Sequence, residues 1–177
     1  MRPTQIAVLA AALALAGGAR AEVVDAQSNG FEVRQAADIA APAAKVWDAL
    51  GHIGAWWNSQ HTFSGDAKNL SLELKAGGCL CETLEGGGGV GHMIVICVQP
   101  GHAARLSGAL GPLQSLGLAG HLTWTLAEKD GHTTLTQTYD VGGYVRGGAG
   151  QLAAPVDSVL GEQLARLKRY VETGAPG

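Results

Sequence analysis

Along the chain the spacing of apolar residues switches between two and about 3.6, and each stretch implies the element it can form. Between Phe31 and Ile39, Val33, Ala37 and Ile39 share one face at period two, which predicts a strand. Ala41-Pro42 then starts a helix, because proline suits a first helical turn. Val46, Trp47 and Leu50 give it an apolar stripe, and Gly51 ends it. Ile53 to Trp57 reads as a second short helical piece, and Asn58 to Asn69 as a polar loop. A series of period-two segments follows. Leu70, Leu72 and Leu74 alternate with Ser71, Glu73 and Lys75, and Gly77-Gly78 turns the chain. Cys79–Leu84, Gly91–Gln99 and Ala104–Leu110 come next, then strands around Leu122, Trp124 and Leu126 and around Leu135, Gln137 and Tyr139. Asp130-Gly131 between the last two is a hairpin signal. After a glycine-rich loop, Val156, Val159, Leu160, Leu164, Leu167 and Val171 recur at helical spacing, opened by Pro155 and closed by Gly174.

This order predicts an α+β fold. A curved antiparallel sheet of about six or seven strands wraps a long C-terminal helix, with two short helices after the first strand. The length of 177 residues suits one domain, and 46% hydrophobic with 15% charged residues argues against disorder. A net charge of −3 without a basic stripe gives nucleic acid no electrostatic footing. The start of the chain changes the picture more. Arg2, the apolar run Ile6–Ala16 and Ala19-Arg20-Ala21 have the layout of a cleavable signal peptide. The expected organisation is a signal peptide over 1–21, a flexible leader over 22–30 and a domain over 31–174. The apolar run is too short to span a bilayer, so no stable membrane anchor is expected after cleavage. The expected location is the periplasm.

Several stretches together resemble the START-like (SRPBCC, helix-grip) superfamily, in its polyketide cyclase-like and Hsp90-ATPase-activator-like branch. They are IAAPAAKVWDAL from Ile39 to Leu50, Trp56-Trp57, Gly77-Gly78 leading into Cys81-Glu82, LSGALGPL from Leu106 to Leu113, and the C-terminal helix. The resemblance covers most of Phe31 to Thr173. It implies the helix-grip fold, and a cavity between sheet and helix that holds an apolar ligand or, in a minority of members, a reaction. Fold alone does not set the activity.

Candidate chemistry concentrates between Gly77 and Val98. Gly86, Gly88 and Gly91 match G-x-G-x-x-G, but a β-rich segment follows where a phosphate-binding helix is needed, so no nucleotide is expected. If Leu80 and Leu84 point inward, Glu82 does too. A hairpin centred on Gly88 would set Leu84 opposite His92 and Cys79 opposite Cys97, and turn His92, Ile94 and Ile96 inward. A carboxylate in an apolar cavity should have a raised pKa, suited to acid/base work. Glu82 and His92 are therefore the catalytic candidates, or the polar handle of a ligand cavity with His61. The other reading places Glu82 at the sheet rim or pairs it with an arginine, and makes His92 a structural histidine. A metal held by Glu82, His61 and His92 has acceptable ligand types but no fixed spacing, so none is expected, nor any cofactor. In an oxidising compartment Cys79 and Cys97 are candidates for a disulfide, while inert thiols, metal or catalysis stay open.

Trp56 and Trp57 suit a pocket entrance. Trp124 and Tyr139 share an inward phase and either line the cavity or fill it. The loop from Gly111 to Gly120 reads as a lid or a bare connection. The expected ligand-binding set is Trp56, Trp57, His61, Leu72, Glu82, Leu84, His92, Trp124 and Tyr139. The expected function is binding of a small apolar or aromatic molecule. The alternatives are a cyclase- or hydratase-type enzyme using Glu82 or His92, and a protein-interaction module.

Overall fold

The computed structural model describes residues 20–177. The strands in chain order are β1 (Arg20–Gln27), β2 (Gly30–Ile39), β3 (Leu70–Leu72), β4 (Cys79–Thr83), β5 (Gly89–Gln99), β6 (Ala103–Gly108), β7 (Leu118–Lys129) and β8 (His132–Gly143). Helices α1 (Ala43–Gly51) and α2 (Ile53–Trp56) follow β2, and α3 (Ala153–Thr173) comes last. All eight strands form one antiparallel sheet in the order β1-β2-β8-β7-β6-β5-β4-β3. From β3 to β8 the chain runs neighbour to neighbour, so only the β2–β3 connection crosses the sheet. That connection carries α1, α2 and two short 3-10 turns. Helix α3 packs most heavily on β2 and also touches β1, α1 and α2. This is the helix-grip architecture.

The expected six or seven strands become eight because residues 22–27 are not a loose leader: they pair with β2 from Glu22↔Arg34 to Gln27↔Gly30. Their side chains are all exposed, so the segment has no buried face and no period-two signal to read. Backbone pairing with β2, with α3 alongside, holds it. The expected signal peptide lies outside the described residues, apart from Arg20 and Ala21, which open β1. Among the described residues no helix is long and apolar enough to cross a membrane.

Leu160, Leu164, Leu167 and Val171 of α3 join Val33 and Ile39 of β2, Leu122 and Trp124 of β7, and Leu135 and Tyr139 of β8 in one buried cluster. Burying each such aliphatic side chain contributes about 1.5–3 kcal/mol. Through this cluster runs a hydrogen-bonded polar chain. Trp124 Nε1 donates to Gln137 Oε1 at 2.8 Å, Gln137 Nε2 to Gln35 Oε1 at 3.0 Å and to the Leu160 carbonyl at 3.3 Å, and Gln35 Nε2 to Asp157 Oδ1 at 2.5 Å. Both glutamines are buried, and each amide end is partnered, so their burial is tolerable. The chain fastens α3 to the middle of the sheet.

The β4–β5 hairpin turns two residues earlier than a Gly88 centre implies. Gly86 and Gly87 take positive φ values of 71° and 84°, and Glu82 pairs with Val90. A bulge follows: Leu80 pairs with Met93 but Cys81 with Gly91, leaving His92 as the extra residue. His92 and Met93 are consequently both buried. Beyond the bulge the facing reverses, so Ile94 and Ile96, expected inward, are 46% and 48% exposed. The earlier turn also carries Cys97 past Cys79, whose partner is Ile94. Cys79 is instead bonded to Cys81 on the same face of the same strand, and Cys97 is free and exposed. The expected Cys79–Cys97 bridge is therefore absent.

Candidate ligand-binding site

A cavity of about 420 Å³ lies at the N-terminal half of α3. Three segments enclose it. The first is the stretch after α2, from Trp57 to Phe63; the second is Leu110–Leu116 between β6 and β7; the third is Leu152 to Leu160 at the start of α3. The lining is apolar except for Gln60, His61 and Thr62, as expected of a small-molecule site. A second depression of about 560 Å³ sits on the outer face of the sheet, with Asp25, Glu32, His121 and Asp140 among its lining. It is wider and acidic, and offers an apolar ligand little to bury against.

Of the residues expected to bind ligand, Trp57 and His61 line the cavity. Trp57 is fixed by its Nε1–H, which donates to the His61 carbonyl at 3.0 Å, and by its neighbour Trp56, with ring centroids 5.7 Å apart. Trp56 itself is buried behind the wall, donating to the Ala49 carbonyl at 2.8 Å. His61 Nε2 lies 3.2 Å from Glu162 Oε2 on α3. A hydrogen bond from Asn58 chiefly, helped by His61 and opposed by burial, holds the Glu162 carboxyl below its ordinary value. Trp124 and Tyr139 fill the core rather than line the cavity. Leu72 packs in the same core and Leu84 sits half-buried at the hairpin turn, neither in the lining. The contributions of Phe63, Leu110, Leu113, Val156, Val159 and Leu160 were not singled out from sequence. The α3 stripe and the lid-like loop were visible there, but not which of their residues face a void.

Glu82 and His92 do meet, at 3.1 Å and both buried, though outside the lining. The Glu82 carboxylate also accepts the backbone N–H of Phe63 at 3.1 Å and of Ser64 at 2.5 Å. Its expected raised pKa is corrected: burial pushes it up, but hydrogen bonds from Ser64, from the Phe63 N–H and from His92 outweigh burial and hold it below its ordinary value. A carboxyl that is ionised and fully bonded has no free proton to give. On the other side of the ring, Gln114 Nε2 lies 3.4 Å from His92 Nδ1 and donates to the Ala109 carbonyl at 2.9 Å. With Gln114 donating to Nδ1, Nε2–H is left to donate to Glu82. The Phe63 ring stands against the imidazole, centroids 5.9 Å apart. Glu82 and His92 thus tie together two of the segments that form the cavity rim, one through Phe63 and Ser64, the other through Gln114. Tyr139 supports the second rim as well, since its hydroxyl accepts the Leu110 N–H at 3.2 Å. His61 pairs with Glu162 and not with Glu82 or His92, so the three do not gather as metal ligands. Among the described residues no group of three His, Cys, Asp or Glu side chains is placed to hold a metal ion.

Comparison with known proteins agrees with this architecture. The family model described as polyketide cyclase / dehydrase and lipid transport matches residues 30–172. A search of curated proteins found no match. Among solved structures, CalU16 from Micromonospora echinospora superposes with a TM-score of 0.59 at 12% identity, covering 89% of this chain and 88% of its own. A conserved protein of Enterococcus faecalis, EF2215, gives 0.59 at 15% identity over 84% and 75% of the two chains. DynU16, from the dynemicin biosynthetic locus, gives 0.57 at 24% identity over 82% of this chain and 48% of its own. At these identities the neighbours speak for the fold. With the family model spanning β2 to the end of α3, the chain belongs to the polyketide cyclase / dehydrase and lipid transport family, within the START-like superfamily.

Proposed function

We propose that this protein binds one small apolar or aromatic molecule in the cavity between α3 and the two rim segments, and does so in the periplasm after export. The observation that carries the reading is the lining itself: about 420 Å³ enclosed by Trp57, Phe63, Leu113, Val156, Val159 and their apolar neighbours. The family to which the chain belongs includes lipid transport, which is consistent with such a ligand. Export rests on the layout of residues 1–21.

The test is fluorescence titration with 1-anilinonaphthalene-8-sulfonate, repeated on Val156→Trp, which fills the cavity from its own wall. Wild type should bind one dye per chain, and the variant should bind at least about tenfold more weakly, equivalent to 1.4 kcal/mol. Equal binding by both would move the site elsewhere; binding by neither would remove the reading. An N-terminus at Glu22 on protein from the periplasmic fraction tests the location.

Cyclase- or hydratase-type chemistry is the second reading, and one observation favours it at a different pair from the sequence candidates. His61 lines the cavity and touches Glu162, whereas Glu82 and His92 lie outside the lining. A turnover lost in His61→Ala with dye binding retained would support it.

A further inference from the structure

The Cys79–Cys81 bridge is poorly explained as a structural staple. A cross-link stabilises chiefly by closing a loop in the unfolded chain, and its effect grows with loop length. Here the two cysteines are only two positions apart, near the short limit. Both are only partly buried and lie on the outer face of the sheet, because Leu80 and Glu82 point inward. Exposed disulfides are the ones open to attack by a thiolate.

The position of the bridge is informative. The two Cα atoms are 5.4 Å apart, whereas residues two apart in a regular strand are separated by about 6.4–6.8 Å. β4 is thus drawn in by about 1 Å. The shortening falls where β5 carries its extra residue, between the pairs Leu80↔Met93 and Cys81↔Gly91. That extra residue is His92, which faces inward to Glu82, itself the neighbour of Cys81, while the bulge brings Met93 inward beside it. Outer-face bridge, bulge and inner-face pair are one local structure.

We infer that Cys79–Cys81 is a thiol-reactive site, and that its opening by an external dithiol loosens the Glu82–His92 pair and, with it, both rims of the cavity. One thiolate of the dithiol attacks one bridge sulfur. A new S–S bond forms, the Cys79–Cys81 bond breaks, and the displaced cysteine leaves as a thiolate that takes up a proton. The second thiol of the reagent then displaces the remaining cysteine sulfur. The dithiol ends as a cyclic disulfide, both cysteines end as thiols, and two electrons and two protons have passed to the protein. With the bridge open, β4 is free to lengthen to regular spacing. The bulge loses its complement, and the bonds from the Phe63 and Ser64 N–H groups to Glu82 and from Gln114 to His92 weaken.

The experiment uses the Cys97→Ser protein, so that only the pair titrates, with dithiothreitol and no denaturant. Alkylation followed by mass measurement counts the thiols. Hydrogen exchange reports the Phe63 and Ser64 amides, and NMR of the imidazole nitrogens reports His92. The expected result is two alkylated cysteines in the folded protein, exchange at Phe63 and Ser64 faster by about tenfold, and a changed His92 spectrum, all reversed on reoxidation. Cys79→Ala/Cys81→Ala should show the same exchange and spectrum without reductant. A bridge that opens only in unfolded protein overturns the reactive site. A bridge that opens in the fold but leaves Phe63, Ser64 and His92 unchanged overturns the link to the rim. None of these readouts requires a ligand, so the result stands apart from the dye titration.

Discussion

Replacing Glu82 tests the central claim about the rim. The side chain is 2% exposed, and its carboxylate accepts two backbone N–H groups and one imidazole N–H. Glu82→Ala strands all three donors. A buried donor left without a partner costs about 1–3 kcal/mol, and breaking a buried charged network costs about 3–5 kcal/mol, so the variant should lose about 3–5 kcal/mol. That is a large part of a typical stability of about 5–15 kcal/mol. Glu82→Gln keeps one acceptor oxygen but turns an NH₂ towards a donor, and should lose about half as much. Urea denaturation reads the loss. With m of about 2 kcal/mol per molar, the Glu82→Ala midpoint should fall by roughly 1.5–2.5 M at unchanged slope. The pH dependence adds a second reading. The Glu82 carboxyl is held below its ordinary 4.5 in the folded state, so on acidification the unfolded chain takes up the proton first. The contribution is complete above pH 4.5 and is lost as pH falls through the folded-state value. Glu82→Gln should flatten that acid decline. A midpoint shift below about 0.3 M for Glu82→Ala, with Phe63 and Ser64 amides exchanging as in wild type, would refute the reasoning.

Two further outcomes follow from buried polar groups. Gln137→Leu leaves the Trp124 Nε1–H and the Gln35 Oε1 without partners and should cost about 2–4 kcal/mol in urea. Gln35→Leu/Gln137→Leu should cost less than the sum of the single changes, and additivity in that double-mutant cycle would sink the idea of one connected chain. Burial pushes the Tyr139 phenol up to about 12, against the hydrogen bond with Leu110. Its contribution is complete below its ordinary value of 10.0 and is lost as pH rises towards 12, because the unfolded phenol ionises first. Tyr139→Phe should flatten this alkaline decline and cost about 1 kcal/mol at neutral pH, through the unpaired Leu110 N–H; an unchanged alkaline slope would count against it.

Periodicity alone determined most of the architecture. The stripe from Val156 to Val171 must be buried by something, and the period-two segments from Phe31 to Tyr139 supply a face large enough. Gly174 closes α3 in the left-handed conformation that its residue type allows. The inward phase of Glu82 and His92 was legible too, since both follow from alternation close to the turn. Gln137 stood in the inward phase with Leu135 and Tyr139, but neither it nor Gln35 was singled out, because the bonds that satisfy them join β2, β7, β8 and α3 and have no local signature.

Tertiary structure decided the rest. Residues 22–27 have no buried face, so this strand forms because β2 offers it an edge. One bulge at His92 reversed the facing of Ile94 and Ile96, and an earlier turn set Ile94 opposite Cys79 in place of Cys97; alternation cannot foresee an inserted residue, because each slip inverts everything after it. The cavity has the same origin. It is the space left where three separate segments fail to touch, while Trp124 and Tyr139 close the remainder. Which side chains border a void and which fill one depends on volumes summed across the whole fold, and no single stretch of sequence contains that sum.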